Sequence, residues 1–323
     1  MTETSIWMVI GFVLASAAVL ANDSLQTLGT FIASNQERTP KPLQILFIVS
    51  LTIVVLGIGW LLGNGDPAWG RLTVPESEFP QPTNSNWLIL IPPLTVLGLS
   101  QWGAPVSTTF LILASFQPSN ISPLLTSSIG GYLLAFATAC LVYGLGLRAI
   151  EHTFLKENQR TESSERIWIP LQWCATGALW SLWLIQDLAN VFVYLPRKLD
   201  GPTMTGCTVL LCIGLCVLIG RGGGPIQNIV QNKSHCSDLR SATLIDLLFA
   251  CCLLIRACLS PFPISTTWIF LGLLAGRELV LQFNDPSQCL PSIGRDLAKA
   301  SVGVIVSIAV VIGLEPLQRL INS

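Results

Sequence analysis

Charge is what this chain has least of. Only 11% of its 323 residues are charged and 51% are hydrophobic, against about 25% charged in an ordinary soluble domain. That scarcity excludes a soluble globular protein and leaves no basic surface for nucleic acid. Histidine is almost absent: His152 and His235 both fall in polar stretches, so no histidine-centred catalytic or metal site is expected. Ten cysteines are present but no C-x-x-C pair, which removes the usual zinc and redox arrangements. Most lie inside apolar runs such as "TGCTVLLCIGLCVLIG", where a thiol packs as a small hydrophobe. There is no nucleophile elbow, and "GRGGGP" at Gly220–Pro225 lacks the GxxxxGK[ST] pattern and a preceding strand, so it reads as a flexible turn. Neither an enzyme nor an organic cofactor is expected. No Lys or Arg precedes Arg38, so the first apolar run, despite the small residues of "ASAAVLAND", reads as a retained helix rather than a signal peptide.

Long apolar runs are what the chain has in quantity. Crossing about 30 Å of hydrocarbon takes roughly 20 helical residues, and runs of that order occur near Ile6–Leu20, Leu43–Leu62, Pro123–Ile150, Ile167–Ile185, Met204–Ile219, Leu244–Leu259 and Leu297–Leu314. Tryptophans such as Trp7, Trp60, Trp69, Trp87 and Trp168 fall near their ends, where an aromatic belt accounts for them. Arg38, Lys41, Arg148, Lys156, Arg160, Arg166, Arg221, Lys233, Arg240, Arg277, Arg295 and Lys299 can all be placed on one side, leaving Arg71, Arg197, Lys198 and Arg319 opposite. Positive charge stays inside, so both termini and the acidic loop Asn64–Asn86 are expected outside. The stretch near Glu151–Arg166 is then inside, in a cell (inner) membrane. Arg197-Lys198 breaks the rule locally.

Two phrases recur. "WGAPVSTTFLIL" at Trp102–Leu113 returns as "PFPISTTWIFL" at Pro261–Leu271, and "LANDSLQTLGTF" upstream of the first has a counterpart in "LIQDLANVFVYL" upstream of the second. Aligned on the acids, Asn22, Asp23 and Gln26 match Gln186, Asp187 and Asn190. The chain therefore divides into a first transmembrane repeat, 1–150 (acid motif 22–26, tip 103–109), a short cytoplasmic linker, 151–166, and a second repeat, 167–323 (acid motif 186–190, tip 261–267). Starting on opposite faces, the two are inverted. The expected fold class is an all-α polytopic membrane protein, an inverted-repeat transporter with broken helices and two re-entrant helical hairpins, its substrate held near the midplane.

The chemistry of the repeated residues agrees. Proline stops the preceding turn and Ser or Thr caps a new helix, so each PxSTT word marks a hairpin tip. A helix N-terminus there offers free N–H groups and about half a positive charge, to which Ser107, Thr108, Thr109, Ser265, Thr266 and Thr267 add hydroxyls. Two such tips make a cradle for a tetrahedral oxyanion. Asp23 and Asp187 meet the opposite requirement. A bare carboxylate in a bilayer costs several kcal/mol, so each is read as the seat of a coupling cation, Na⁺ or H⁺, the alternative being a helix cap. Arg256, within an apolar run, is either a partner for the anion or Asp187 or a side chain snorkelling to the interface.

At these residues the chain resembles the inorganic phosphate transporter family of Na⁺- or H⁺-coupled permeases, with its G-A-N-D-x-x-N and P-[VI]-S-T-T-H words in each half. The resemblance extends over essentially the whole chain, "GRGGGPIQNIVQNKS" and "LRSATLIDLLFACCLLI" included. It implies that Asp23, Asn22, Asp187 and Asn190 help bind Na⁺ and phosphate, that Gln26 and Gln186 stand in for the family's asparagines, that the six tip hydroxyls complete the sites, and that the protein is a homodimer. The departures are Leu20-Ala21 and Leu184-Ile185 in place of Gly-Ala, the two glutamines, and Phe110 and Trp268 in place of histidine. The centre is a short mixed-charge stretch rather than a soluble insertion. Import of inorganic phosphate is the expected function. A permease for sulfate or another oxyanion and a non-transporting sensor or assembly subunit are the alternatives. In intact cells, epitope tags at either terminus are expected to be labelled, and a tag within 151–166 only after permeabilisation; external labelling of that linker would remove the inversion.

Overall fold

The structure is a computed structural model and describes residues 5–73, 79–81, 86–104, 106–147, 149, 162–223, 238–259, 262–281 and 286–321. His152, His235, most of the linker, Pro105, Pro261 and the end of "GRGGGP" lie outside the described residues. The regular elements are helical: α1 (Ile6–Asn35), α2 (Lys41–Leu62), α3 (Ile91–Gln101), a π-helical turn Thr109–Leu113 running into α4 (Ala114–Phe116), α5 (Ile121–Val142), α6 (Glu162–Asp187), α7 (Ala189–Phe192), α8 (Gly201–Gly220), α9 (Leu239–Leu259), α10 (Thr266–Leu281) and α11 (Pro286–Ile321).

Among the described residues six stretches are long and apolar enough to cross a membrane: Ile6–Asn35, Lys41–Leu62, Pro118–Leu147, Gly201–Gly220, Leu239–Leu259 and Ile293–Leu314. Leu46, Ile58, Leu133, Ile213 and Ile305 on them are exposed, as side chains facing lipid must be. The chain is a multi-pass membrane protein. The expected span at Ile167–Ile185 lies within α6, whose 26 residues extend for roughly 39 Å. It is less apolar than the others because it carries Gln172, Thr176, Gln186 and Asp187, and all four are buried. They face the protein, where polar side chains find partners that lipid cannot supply.

Ser5 caps α1, its Oγ accepting from the Trp7 N–H at 3.2 Å. Helices α1 and α6 run antiparallel: near the C-terminal end of α1, Asn35 Oδ1 accepts from Trp173 Nε1 at 3.3 Å, while near its start Phe12 packs on Phe192 of α7 at 5.7 Å. Trp180 stacks on Trp183 at 4.6 Å and donates Nε1 to Thr52 Oγ1 of α2 at 2.9 Å. On the other flank α10 lies along α5 so closely that a Cβ on Gly272 would sit 2.3 Å from the Tyr132 carbonyl oxygen, and one on Gly276 2.5 Å from that of Phe136.

The expectation of a broken helix is not met in the first copy. Asp23 sits within α1, which is unbroken over 30 residues, so it caps nothing. The second copy does break: α6 ends at Asp187, and Leu188 separates it from α7. The two hairpins are also unequal, since α3 has 11 residues and is too short to cross, whereas α9 has 21.

On the side where α1 begins, the turn after α2 forms a cap. Asp66 accepts the N–H groups of Ala68 and Gly70 at 2.7 and 2.9 Å, Gly65 accepts from Leu199 N–H at 2.9 Å, and Trp60 Nε1 donates to the Leu199 carbonyl at 2.8 Å. Arg197 donates to the carbonyls of Val193, Leu195, Phe79 and Pro80 at 2.9–3.2 Å. Its place against the charge rule therefore has a structural reason, because its guanidinium ties the cap to the segment after α7.

Gly272→Ala is expected to force α10 away from α5 and cost about 1–3 kcal/mol. Gly130→Ala on α5, which meets nothing within 4 Å, is expected to cost nothing. Thermal unfolding of the two variants in detergent checks the difference.

Candidate ion and anion site

The four threonine hydroxyls of the two tips and the carboxylates of both acid motifs meet at one place. Asp23 and Asp187 are 1% and 0% exposed, and every motif residue around them is buried. Thr108 Oγ1 donates to Asp23 Oδ2 in a short contact, and Thr266 Oγ1 donates to Asp187 Oδ2 in the same way. The neighbouring threonines cross over. Thr109 Oγ1 lies 3.1 Å from the Ile264 carbonyl oxygen of the other tip and 3.4 Å from Asp187 Oδ1. Thr267 Oγ1 lies 3.1 Å from the Val106 carbonyl oxygen and 3.3 Å from Asp23 Oδ1. Each acid is thus bonded by one tip and reached by the other, in matching pairs.

The amides do not keep this symmetry. Asn22 Nδ2 donates to the Val106 carbonyl at 2.6 Å and to Asp23 Oδ1 at 2.6 Å, fixing the first tip to α1. Its counterpart Gln186 turns away and donates to the Leu253 carbonyl of α9 at 3.0 Å. Asn190 Nδ2 bridges Thr108 and Thr109 at 3.1 and 3.0 Å, whereas Gln26 Nε2 reaches only Asn22 Oδ1, at 3.5 Å. The longer glutamine side chain therefore stands where the partners differ. Ser107 behaves as a cap, accepting from Phe110 N–H at 3.0 Å, while Ser265 does not cap α10.

Counting hydrogens shows what the site needs. Each threonine hydroxyl has one hydrogen, yet Thr109 and Thr267 each face two acceptors, a carbonyl and a carboxylate. In addition, the buried amide oxygens Gln26 Oε1, Gln186 Oε1 and Asn190 Oδ1 have no hydrogen-bond partner, against two buried groups, Ser265 Oγ and Trp183 Nε1, that each keep a hydrogen without an acceptor. Buried acceptors without donors cost about 1–3 kcal/mol each. An excess of oxygen acceptors around two carboxylates fits a hard cation such as Na⁺, which takes oxygen ligands, so Asp23, Asp187, Asn22 and Asn190 suit one. For an anion the donors are Ser265 Oγ and the first N–H groups of α10, which have no intrahelical acceptor.

Phe110 and Trp268, in the positions of the family's histidine, are buried among apolar side chains. Trp268 meets Tyr132 edge-on at 6.0 Å. Arg256 donates Nη2 to Ser127 Oγ of α5 at 2.6 Å. The arginine bonded beside the second acid is instead Arg71, whose Nε donates to the Ile185 carbonyl at 2.9 Å. No motif marks it.

A third buried acid inside the helices also went unmarked. Asp246 of α9 accepts from Thr30 of α1 and from Thr176 and Gln172 of α6, the last at 2.9 Å. It joins three helices at one carboxylate. Its signal is visible in the sequence as the lone acid inside "LRSATLIDLLFACC". Among the described residues no group of three or more His, Cys, Asp or Glu converges to hold a metal ion.

Thr109→Val leaves the Ile264 carbonyl and an Asn190 N–H without their partner, and is expected to lower stability by about 1–3 kcal/mol. Thr267→Val should cost less, because the Val106 carbonyl keeps the Asn22 N–H. Thr109→Ser should restore most of the loss. Unfolding midpoints of the three variants, compared at one detergent and salt concentration, check the order.

No family model matches the chain, and no curated protein matches it. Among solved structures it is similar to one described as "The sodium-dependent phosphate transporter", with 15% sequence identity, 96% of each chain covered and a TM-score of 0.62. At that identity the likeness is one of fold, and nearly the whole chain has the fold of that transporter.

Proposed function

We propose that this protein is a secondary active transporter that imports inorganic phosphate together with Na⁺ or H⁺ by alternating access between two inverted repeats. The observation that carries the proposal is the meeting of Asp23 and Asp187 with both STT tips at a buried place where acceptors outnumber hydrogens. A cation satisfies that excess, and its charge in turn makes room for an anion beside two carboxylates. The all-oxygen donor set favours Na⁺. In this reading Asp23 and Asp187, with Asn22 and Asn190, hold the cation. Ser107, Thr108, Thr109, Ser265, Thr266 and Thr267, with Gln26, orient the anion, while Gln186, turned to the Leu253 carbonyl, takes no part in holding it. Phosphate is preferred to sulfate because it retains a hydrogen to give to an acceptor such as Asp23 or Asp187. The fold shared with a sodium-dependent phosphate transporter supports the same reading, and the homodimer belongs to it as well.

Purified protein in liposomes is expected to take up labelled phosphate under an inward Na⁺ gradient. Asp23→Asn or Asp187→Asn is expected to abolish uptake while leaving the protein folded. Preference for sulfate would reassign the substrate, uptake driven by a proton gradient alone would reassign the ion, and absence of any uptake from folded protein would favour a non-transporting role.

A further inference from the structure

A positive charge reaches the second acid motif from a segment outside both repeats' motifs. Arg71 lies in the cap after α2, yet it is only 7% exposed. The backbone on both sides of it is fixed. Asp66 holds Ala68 and Gly70, Trp69 and Gly70 turn the chain through left-handed conformations (φ 57° and 76°), Arg71 N–H donates to the Ala68 carbonyl at 3.1 Å, and the Leu72 carbonyl accepts from Phe79 N–H at 3.1 Å. From this frame the Arg71 side chain enters the protein and donates Nε to Ile185 at 2.9 Å. Ile185 is in the last turn of α6, where carbonyls lack intrahelical partners and a cation is favoured. Asp187 stands two residues further on and interacts electrostatically with Arg71.

We propose that Arg71 is a positioning residue that sets the balance of the site, a permanent internal cation that acts through Asp187 to favour the anion and to oppose Na⁺. The inference rests on the transport reading above. A guanidinium does not lose its proton in a protein, so its charge stays constant while ions come and go. Next to Asp187 such a charge does two opposite things. It offsets the repulsion between the carboxylates and an incoming phosphate, and it competes with Na⁺ for the same carboxylate. Because the cap supplies it, the balance is set by a loop rather than by the helices that carry the motifs.

Phosphate uptake by proteoliposomes is measured over a range of Na⁺ and of phosphate for wild type, Arg71→Gln and Arg71→Lys. With the charge removed, the Na⁺ concentration for half-maximal uptake is expected to fall about three- to tenfold while KM for phosphate rises by a similar factor, tenfold corresponding to about 1.4 kcal/mol. Arg71→Lys keeps the charge and is expected to stay within about twofold of wild type on both. A residue with only a structural role would lower the maximal rate or the unfolding temperature without moving the two constants in opposite directions, and that result would overturn the inference. Should Arg71→Gln fail to fold, Asp66→Ala, which releases the turn behind Arg71, is expected to move both constants in the same senses by a smaller amount. Unchanged constants there count against the inference equally. Wild-type uptake driven by protons alone would also overturn it, since it requires a competing metal cation, whereas wild type with no phosphate uptake would defeat the transport reading itself.

Discussion

Two carboxylates cannot stay dry in the middle of a membrane protein unless other groups are arranged around them, and much of this structure is that arrangement. Asp23 and Asp187 each draw a threonine hydroxyl from one tip and share a second from the other. This determines where the two hairpins end, which face of α1 turns inward, and why α6 carries polar side chains along a helix that would otherwise be expected to be apolar. The acids pull the tips together, and the tips in turn leave the acids short of hydrogens. The shortage follows from the residue types: threonines with one hydrogen each, and amides whose oxygens meet no donor.

The same constraint accounts for the third acid, Asp246. Asp246 receives donors from two other helices, so its burial joins α1, α6 and α9 where apolar packing alone would leave them free to slide. It takes donors from Thr30, Thr176 and Gln172, whereas Asp23 and Asp187 each compete with a tip carbonyl for one of their hydroxyl hydrogens.

Much of this was legible in the sequence, because a polar residue in an apolar run has few innocent explanations. Asn22, Asp23, Asp187 and the STT words announced themselves by interrupting hydrophobic stretches twice at matching spacing, and the structure brings them to one place. Asp246 carried the same kind of signal once, without a repeat to amplify it. The unbroken course of α1 was not legible, since Asn, Asp and Ser together resemble a cap until tertiary partners satisfy their side chains within the helix. Arg256 illustrates a different limit: its position on α9 fixes only a radius of reach, and Ser127 on a neighbouring helix decides where the guanidinium goes. Arg71 lay beyond reach altogether. A loop arginine after a transmembrane helix looks like any interfacial charge, and only the turn built by Asp66 and Gly70 directs it inward.

The seam between α5 and α10 bears on how such a molecule can move. At Gly272 and Gly276 one helix backbone lies directly against the carbonyls of the other, with no side chain between them. Seams filled by long side chains yield by changing rotamers, but backbone laid on backbone has none to change. The two helices are therefore packed into one stiff unit with the second STT tip at its end. Softer places in the structure are contacts made by flexible side chains and the single-residue break at Leu188.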